Sequence, residues 1–299
     1  MLGYFTLRIS RLPLLTGGAG GDRTPDLRIA NATLSHLSYG PYESAGRVFR
    51  PAADGILAPR SRISPQPRDP MEQVSIVMPA LNEAAGIVPV LERLQACRRD
   101  GHELILVDGG SSDGTPVIAA PLVDTLIHTG AGRAVQMNAG AARARGAMLW
   151  FLHADTLPCT DAVGQILEVP LRGGSWGRFD VVIDSPRPLL RLVAGMMNLR
   201  SALTGIATGD QGIFVERALF ERIGGFAPLP LMEDIELSRR LRRVTHPARL
   251  PGPLLTSARR WNRGGAWRTI ALMWRLRLAY HAGVDPAALA RRYHGRDSA

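Results

Sequence analysis

Between residues 74 and 155 short apolar runs alternate with helical stretches, and three of the runs end in polar residues. Residues 74–78, 103–107, 123–128 and 147–152 have the length and apolar content of buried strands. Helices are expected from an Asn82 cap to about Arg99, just after an Asp113 cap, and over the alanine-rich 133–145. This βαβαβαβ alternation predicts a parallel sheet with helices on both faces, and such sheets bind ligands at the carboxyl ends of their strands. Asn82-Glu83, Asp108 to Thr115 and His153 to Asp155 all fall at those ends. Farther on, residues 177–183, 212–215 and 248–255 read as strands, and 188–203, 234–243, 266–282 and 286–293 as helices. The expectation is a single α/β domain with a mixed, mostly parallel central sheet flanked by helices.

Composition sets the boundaries of that domain. The chain has 299 residues, 45% hydrophobic and 21% charged, enough for one large core without staples. Residues 1–70 hold eight prolines and eight glycines and keep no lasting period. They are expected to be disordered, because they bury too little to offset their ordering entropy, or to be an extension absent from a native protein that starts at Met71. Residues 21–41 resemble a peptide that recurs where bacterial gene predictions run across a transfer-RNA gene. The glycine cluster at 17–21 has no strand before it and no lysine after it, so it is a poor phosphate loop. The domain is therefore assigned to residues 71–299.

Cys97 and Cys159 form neither a CxxC pair nor a disulfide framework, which fits a reducing, cytoplasmic setting. No apolar run reaches the ~18 residues of a membrane span. The best candidate, 189–203, is interrupted by Arg191 and Arg200. All 36 basic residues are arginine and the formal net charge is +10. Fourteen of them lie in residues 239–299, against Asp285 and Asp297 alone. There Trp267, Trp274, Leu278 and Tyr280 interleave with Arg268, Arg275 and Arg277. That pattern suits peripheral contact with an anionic inner membrane face, or a helix packed over the fold. No nucleic-acid-binding motif accompanies the charge, so no nucleic-acid partner is expected.

Four polar motifs can carry chemistry. Asp108-Gly-Gly-Ser-Ser-Asp-Gly-Thr115 places a carboxylate at a strand end before a loop able to hug a nucleotide; a plain capping turn is the alternative. His153-Ala-Asp155 puts an imidazole and a carboxylate on one side of an extended segment, where they can hold a divalent cation. Glu233-Asp234 opens a helix whose positive end favours an ionised Asp234. Ser257-Ala-Arg-Arg-Trp261 pairs two guanidinium forks, suited to phosphate, with an indole able to stack on a sugar or simply to pack.

In their order and spacing these segments resemble the family-2 glycosyltransferases over about residues 73–282. The carriers are Val74-Ser-Ile-Val-Met-Pro-Ala-Leu-Asn-Glu83, Glu103 through Thr115, Phe151-Leu-His-Ala-Asp155 and Met232-Glu-Asp234. The resemblance implies the GT-A-type fold of nucleotide-diphospho-sugar transferases. It also implies transfer of a sugar from a nucleoside-diphosphate sugar to an acceptor hydroxyl, with inversion. Under it Pro79, Ala80, Glu83 and Asp108 line the base and ribose pocket. Asp155 ligates Mn²⁺ or Mg²⁺ on the donor diphosphate, Arg259 and Arg260 neutralise the leaving group, and Asp234 is the general base. The family's usual Asp-x-Asp is His153-x-Asp155 here, so His153 is assigned to the donor side without a fixed role. The Gln-x-x-Arg-Trp of processive enzymes is matched only as Ser257-x-x-Arg260-Trp261, which implies a non-processive enzyme.

Residues 132–138, 209–214 and 257–261 further resemble a small bacterial subgroup associated with radical-SAM/selenodomain genes or arsenosugar biosynthesis. By that likeness Arg133 lies near the nucleotide, while Asp210, Gln211 and Trp261 lie near the acceptor. A nucleotidyltransferase would need a glycine-rich loop with a basic residue after the first strand, where this chain has Ala80-Leu-Asn-Glu83. A non-catalytic nucleotide-sugar-binding module is the third reading, and the presence of both Asp155 and Asp234 speaks against it.

Overall fold

The computed structural model describes residues 72–294. The expectations for residues 1–70 lie outside the described residues. Eight strands form one sheet in the order β3-β2-β1-β4-β7-β6-β8-β5. They are β1 (Val74–Ala80), β2 (Glu103–Asp108), β3 (Thr125–His128), β4 (Met148–Phe151), β5 (Thr156–Leu157), β6 (Trp176–Asp184), β7 (Phe214–Glu216) and β8 (Ala248–Ser257). The first four elements of the alternation pair parallel, β3 on β2, β2 on β1 and β1 on β4. β7 then runs antiparallel between β4 and β6, and β6 and β8 are again parallel. This is the mixed, mostly parallel sheet of a GT-A-like fold.

Both faces of the sheet are covered, and residue alternation along β1 shows why. Ile76 and Met78 join a core with Ile87, Val90 and Leu91 of α1 (Ile87–Arg93) and Ile166 of α5 (Ala162–Leu171). Val77, between them, faces Met137 of α4 (Arg133–Ala141) and Leu237 of α8 (Glu233–Val244). Strands buried on both faces read as unbroken apolar runs, which is what 74–78 and 103–107 are. Gly140 lets α4 lie close on the sheet, since a Cβ there would come within 2.4 Å of Val77 Cγ1.

A smaller layer covers the far end. α6 (Pro188–Thr204) packs Leu190, Val193 and Ala194 against Ile183 and Ala258, with Trp261 and Ile270 at the margin. Trp261 belongs to α9 (Arg259–Gly264) and Ile270 to α10 (Ala266–His281). Leu276 of α10 meets Ile235 of α8 and Leu289 of α11 (Pro286–His294).

Two capping expectations need correction. Asn82 does not cap a helix running to Arg99. Its backbone sits at φ 55°, α1 starts only at Ile87, and a second short helix, α2 (Gln95–Arg99), follows. The Asn82 side chain is instead engaged by the neighbouring loop, where its Oδ1 accepts the Ser112 amide at 2.9 Å. Asp113 acts one residue further out than a simple cap: Gly114 precedes α3 (Thr115–Ala119), and Asp113 Oδ1 accepts the Thr115 amide at 3.1 Å. The short β5 and the helices α5, α7 (Arg217–Arg222) and α9 were not expected from the sequence.

Candidate active site

The polar segments after β1 and β2 form one stitched rim. Ser111 Oγ accepts the Asn82 amide at 2.9 Å, Thr115 Oγ1 the Glu83 amide at 2.9 Å, and Asp113 Oδ2 the Ala84 amide at 3.0 Å. Beneath this rim the buried Gln136 amide donates to Ala80 O and Val107 O, both at 2.8 Å, and so fixes the two strand ends at once. Pro79 and Ala80 are buried there. The Asp108 carboxylate, 2% exposed, accepts the amides of Gly110 and Ser111 at 3.1 Å and faces His128 Nδ1 at 3.5 Å. Burial pushes the Asp108 carboxyl up, but bonds from Ser111, Gly110 and His128 outweigh it, and the group is held below its ordinary value.

Arg259 ties this rim to the end of β4. Its Nη2 pairs with Glu83 Oε2 and lies 3.7 Å from Asp155 Oδ2. The Asp155 carbonyl accepts the Ser257 amide at 3.2 Å, which holds α9 against that strand end. Arg260 diverges from Arg259: its guanidinium stacks 5.0 Å over the Tyr293 ring of α11. The two arginines therefore do not form one phosphate clamp in this structure. Trp261 is partly buried against the α6 core, so much of its indole is used in packing.

His153 and Asp155 also diverge. His153 is buried and its Nδ1 lies 3.3 Å from Asp210 Oδ1, whereas Asp155 turns to Arg259. Among the described residues no three His, Cys, Asp or Glu side chains converge as a metal cluster. Asp155 remains partly exposed and offers hard oxygen atoms. A single carboxylate is a sufficient protein share for Mg²⁺ or Mn²⁺ when substrate phosphates and water complete the shell.

The second half of the site gathers around α8. Asp234 Oδ2 accepts the Gly209 amide at 2.9 Å and Oδ1 the Ile235 amide at 2.7 Å. Gly209 opens a 3-10 turn, Gly209–Gln211, that carries Asp210. Gln211 is fully buried and closes the capping box of that turn with Thr208, so its side chain holds the turn and does not face an acceptor. Arg133, at the start of α4, is solvent-accessible and electrostatically coupled to Glu233, Asp210 and Asp234. The structure thus places it with the acidic group of α8.

The amides at the start of α8 favour the ionised form of Asp234, as its helix position implies, but other influences act against them. Burial raises its pKa and Asp210 adds to this, and together they outweigh the two amides and Arg133. Glu233 and Asp234 line a small cavity together with Met137, Phe151, Ile213 and Phe226. Glu233 is raised as well, by burial and then by its neighbour Asp234. Asp210 behaves oppositely. Burial acts to raise it, but the His153 hydrogen bond and the charges of His153, Arg133 and Arg260 hold it down at about 2. Two adjacent carboxylates with opposed shifts are a common sign of divided acid–base roles.

Arg200 of α6 was read from the sequence only as a charge that interrupts an apolar run. Its Nε and Nη2 are buried without a hydrogen-bond partner, and its charge is attracted by Asp234 and Asp210. An arginine in an otherwise apolar helix was the available signal.

Comparison with known proteins agrees with this fold. An uncharacterized glycosyltransferase of Mycobacterium tuberculosis is 33% identical over 167 residues, 51% of this chain and 62% of its own length. An undecaprenyl-phosphate 4-deoxy-4-formamido-L-arabinose transferase of Pseudomonas fluorescens is 28% identical over 160 residues, 48% of this chain and 46% of its own. The chain spans between 35% and 62% of the length of the curated relatives it matches. Among solved structures, a Pyrobaculum calidifontis mannosyltransferase in complex with GDP-Man and Mn²⁺ superposes with a TM-score of 0.54 at 24% identity, covering 77% of this chain and 67% of that one. Residues 75–191 match the model of glycosyl transferase family 2, and the chain has a GT-A-like fold.

Proposed function

We propose that the protein transfers a sugar from a nucleoside-diphosphate sugar to an acceptor hydroxyl, with inversion and one sugar per encounter. The observation that carries this reading is the Asp234 carboxylate, positioned by two backbone amides in an apolar setting that raises its pKa. A base tuned upward is a better proton acceptor near neutral pH than an ordinary aspartate.

On this reading the rim made by Pro79, Ala80, Glu83 and Asp108 takes the base and ribose, and His153 borders the donor. Arg259 leaves Glu83 for the diphosphate when donor arrives, because a dianion competes well for a fork already extended toward it. Arg260 contributes charge at longer range. Asp155 would hold Mn²⁺ or Mg²⁺, which supplies charge neutralisation for the departing diphosphate. Asp234 takes the proton of the acceptor hydroxyl as its oxygen bonds to the anomeric carbon. The bond from that carbon to the diphosphate oxygen breaks, and the nucleoside diphosphate leaves with the electron pair. Arg133 lies on the nucleotide side next to the acidic group of α8, while Asp210 borders the acceptor and the exposed part of Trp261 edges the same side.

The basic C-terminal helices support a second element of the proposal, peripheral contact with the anionic inner face of a membrane from the cytoplasm. Trp267, Trp274 and Leu278 of α10 stand 72%, 56% and 62% exposed beside Arg268, Arg275 and Arg277. No described helix is long and apolar enough to cross a membrane. The finer subgroup linked to radical-SAM/selenodomain or arsenosugar genes rests on residues 132–138, 209–214 and 257–261.

A thermal-shift screen of the full chain against nucleoside-diphosphate sugars, with and without Mn²⁺, tests the donor reading. Metal-dependent stabilisation by at least one donor is expected, and stabilisation by none would overturn it.

A further inference from the structure

We propose that Tyr293 of α11 is a positioning residue for sugar transfer: in the free protein its ring holds the Arg260 guanidinium at the edge of the cleft, and the donor diphosphate draws that guanidinium off the ring. This rests on the sugar-transfer reading above. It adds a residue, and a movement, that none of the polar motifs contains.

The geometry starts from α9. Arg259 and Arg260 are consecutive, yet they serve different parts of the site. Arg259 pairs with Glu83 and lies 3.7 Å from Asp155 Oδ2, on the side assigned to the donor. The Arg260 guanidinium instead lies 5.0 Å over the Tyr293 ring. Arg260 is exposed, and among the described residues the ring is its direct partner, with no hydrogen bond or ion pair beside it. An exposed arginine keeps its rotamer freedom unless something holds it, and here the ring does so. Tyr293 is itself fixed. It is buried with Leu276 and Leu289, and with Met232 and Ile235, the residues on either side of Glu233-Asp234. The resting place of Arg260 is therefore anchored to the turn that carries the proposed base.

From that resting place the charge already reaches the cleft. It helps to hold the Asp210 carboxyl down, and Asp210 Oδ1 lies 3.3 Å from His153 Nδ1. Arg260 is one residue from Arg259, whose guanidinium already approaches Asp155, so rotation of an equally long side chain brings the same space within range. On the sugar-transfer reading the diphosphate departs there. The two attractions differ in strength. A guanidinium over a phenol ring gains little, whereas a guanidinium fork on phosphate oxygens makes charge-assisted hydrogen bonds. The stack thus holds Arg260 without donor and yields to it. An ion pair with Asp210 or Asp155 would be harder to leave, which is the advantage of storing the cation on a ring.

Titration calorimetry of the full chain with UDP or GDP and Mg²⁺ tests this, beside ¹⁹F NMR of the chain labelled with 3-fluorotyrosine. Binding to the wild-type chain is read first, and failure of both nucleotides to bind overturns the donor reading together with this one. The chain has five tyrosines, so Tyr293→Phe assigns the Tyr293 resonance. That resonance should shift when nucleotide saturates the wild-type chain. Arg260→Ala should shift it without nucleotide and abolish its response to nucleotide. Tyr293→Leu should tighten nucleotide binding about fivefold, because no ring competes for Arg260, and Tyr293→Phe should stay within about twofold of wild type. Arg260→Ala should weaken binding about tenfold. In the Arg260→Ala background Tyr293→Leu should change affinity by less than about twofold, a coupling that a merely structural Tyr293 would not produce. If Tyr293→Leu melts early, Tyr293→Met refills the same core without an aromatic face and should behave alike. A Tyr293 resonance indifferent to saturating nucleotide, or the same effect of Tyr293→Leu with and without Arg260, would overturn the proposal while leaving the donor reading intact.

Discussion

The backbone amide of Gly209 donates to Asp234 Oδ2 at 2.9 Å, and the same glycine leaves no room for a Cβ beside the His153 ring. One residue thereby couples the proposed base, on α8, to the imidazole at the end of β4. A Cβ at position 209 would sit 2.5 Å from His153 Nε2, so no side chain fits without moving the ring or the turn.

Gly209→Ala should therefore damage activity far more than stability. Displacing the turn by a fraction of an ångström breaks the hydrogen bond that the Gly209 amide donates to Asp234 and rotates His153 away from Asp210. A fall in kcat of about 100-fold is expected, the scale of a small misplacement of catalytic groups. Steady-state kinetics beside a thermal melt would check this. Unchanged kcat would show that the Gly209 contact does not position the base.

The pH dependence follows from the shift of Asp234. Its carboxyl is raised above the ordinary aspartate value, first by burial, and Arg133 acts to lower it. A base works only when deprotonated, so kcat should rise with pH through that raised value and then level. Removing Arg133 as Arg133→Gln takes away an attractive charge, so the rising limb should move to higher pH. A limb that moves to lower pH, or not at all, would contradict the assignment.

Asp210 carries the opposite linkage. Its folded-state value of about 2 lies below the 3.8 of an ordinary aspartate, so its contribution to stability is present above 3.8 and is lost as pH falls toward 2. Asp210 is 43% exposed, and solvent screening keeps that contribution modest. Asp210→Asn should flatten the acid limb of thermal midpoint against pH in that window while leaving the midpoint near pH 7 only slightly changed. Scanning calorimetry across the acid range reads the effect.

Metal binding should depend on the nucleotide. Asp155 is the one carboxylate assigned to the ion, and no cluster of three potential ligands occurs among the described residues. Mn²⁺ alone should bind weakly, and Mn²⁺ with nucleoside diphosphate strongly. Asp155→Ala should remove the metal-dependent part of nucleotide affinity. Calorimetric titration of Mn²⁺ with and without nucleotide provides the check.

Much of this architecture was legible because strands buried on both faces leave unbroken apolar runs, and because the polar segments ending β1, β2 and β4 are local in sequence. What escaped depended on distant contacts. Asn82 reads as a helix cap, yet the loop bearing Ser111 and Ser112 takes it up across 30 residues. The helix position of Asp234 favours its ionised form, while the burial and the Asp210 charge that raise its pKa depend on segments distant in sequence. Gln211 sits in a polar motif but is spent on its own turn. Arg200 looked like an interruption of an apolar run, and only packing shows its guanidinium edge buried without acceptors.

The central claim, that Asp234 is the base of a sugar-transfer step, is tested most directly by Asp234→Asn. The asparagine keeps the shape, and its side-chain oxygen can still accept the Gly209 amide, but it cannot take a proton. Transfer from the preferred nucleoside-diphosphate sugar should fall by about 10²- to 10⁴-fold, while nucleotide affinity measured by calorimetry stays at the wild-type value. Transfer by Asp234→Asn at close to the wild-type rate would contradict it.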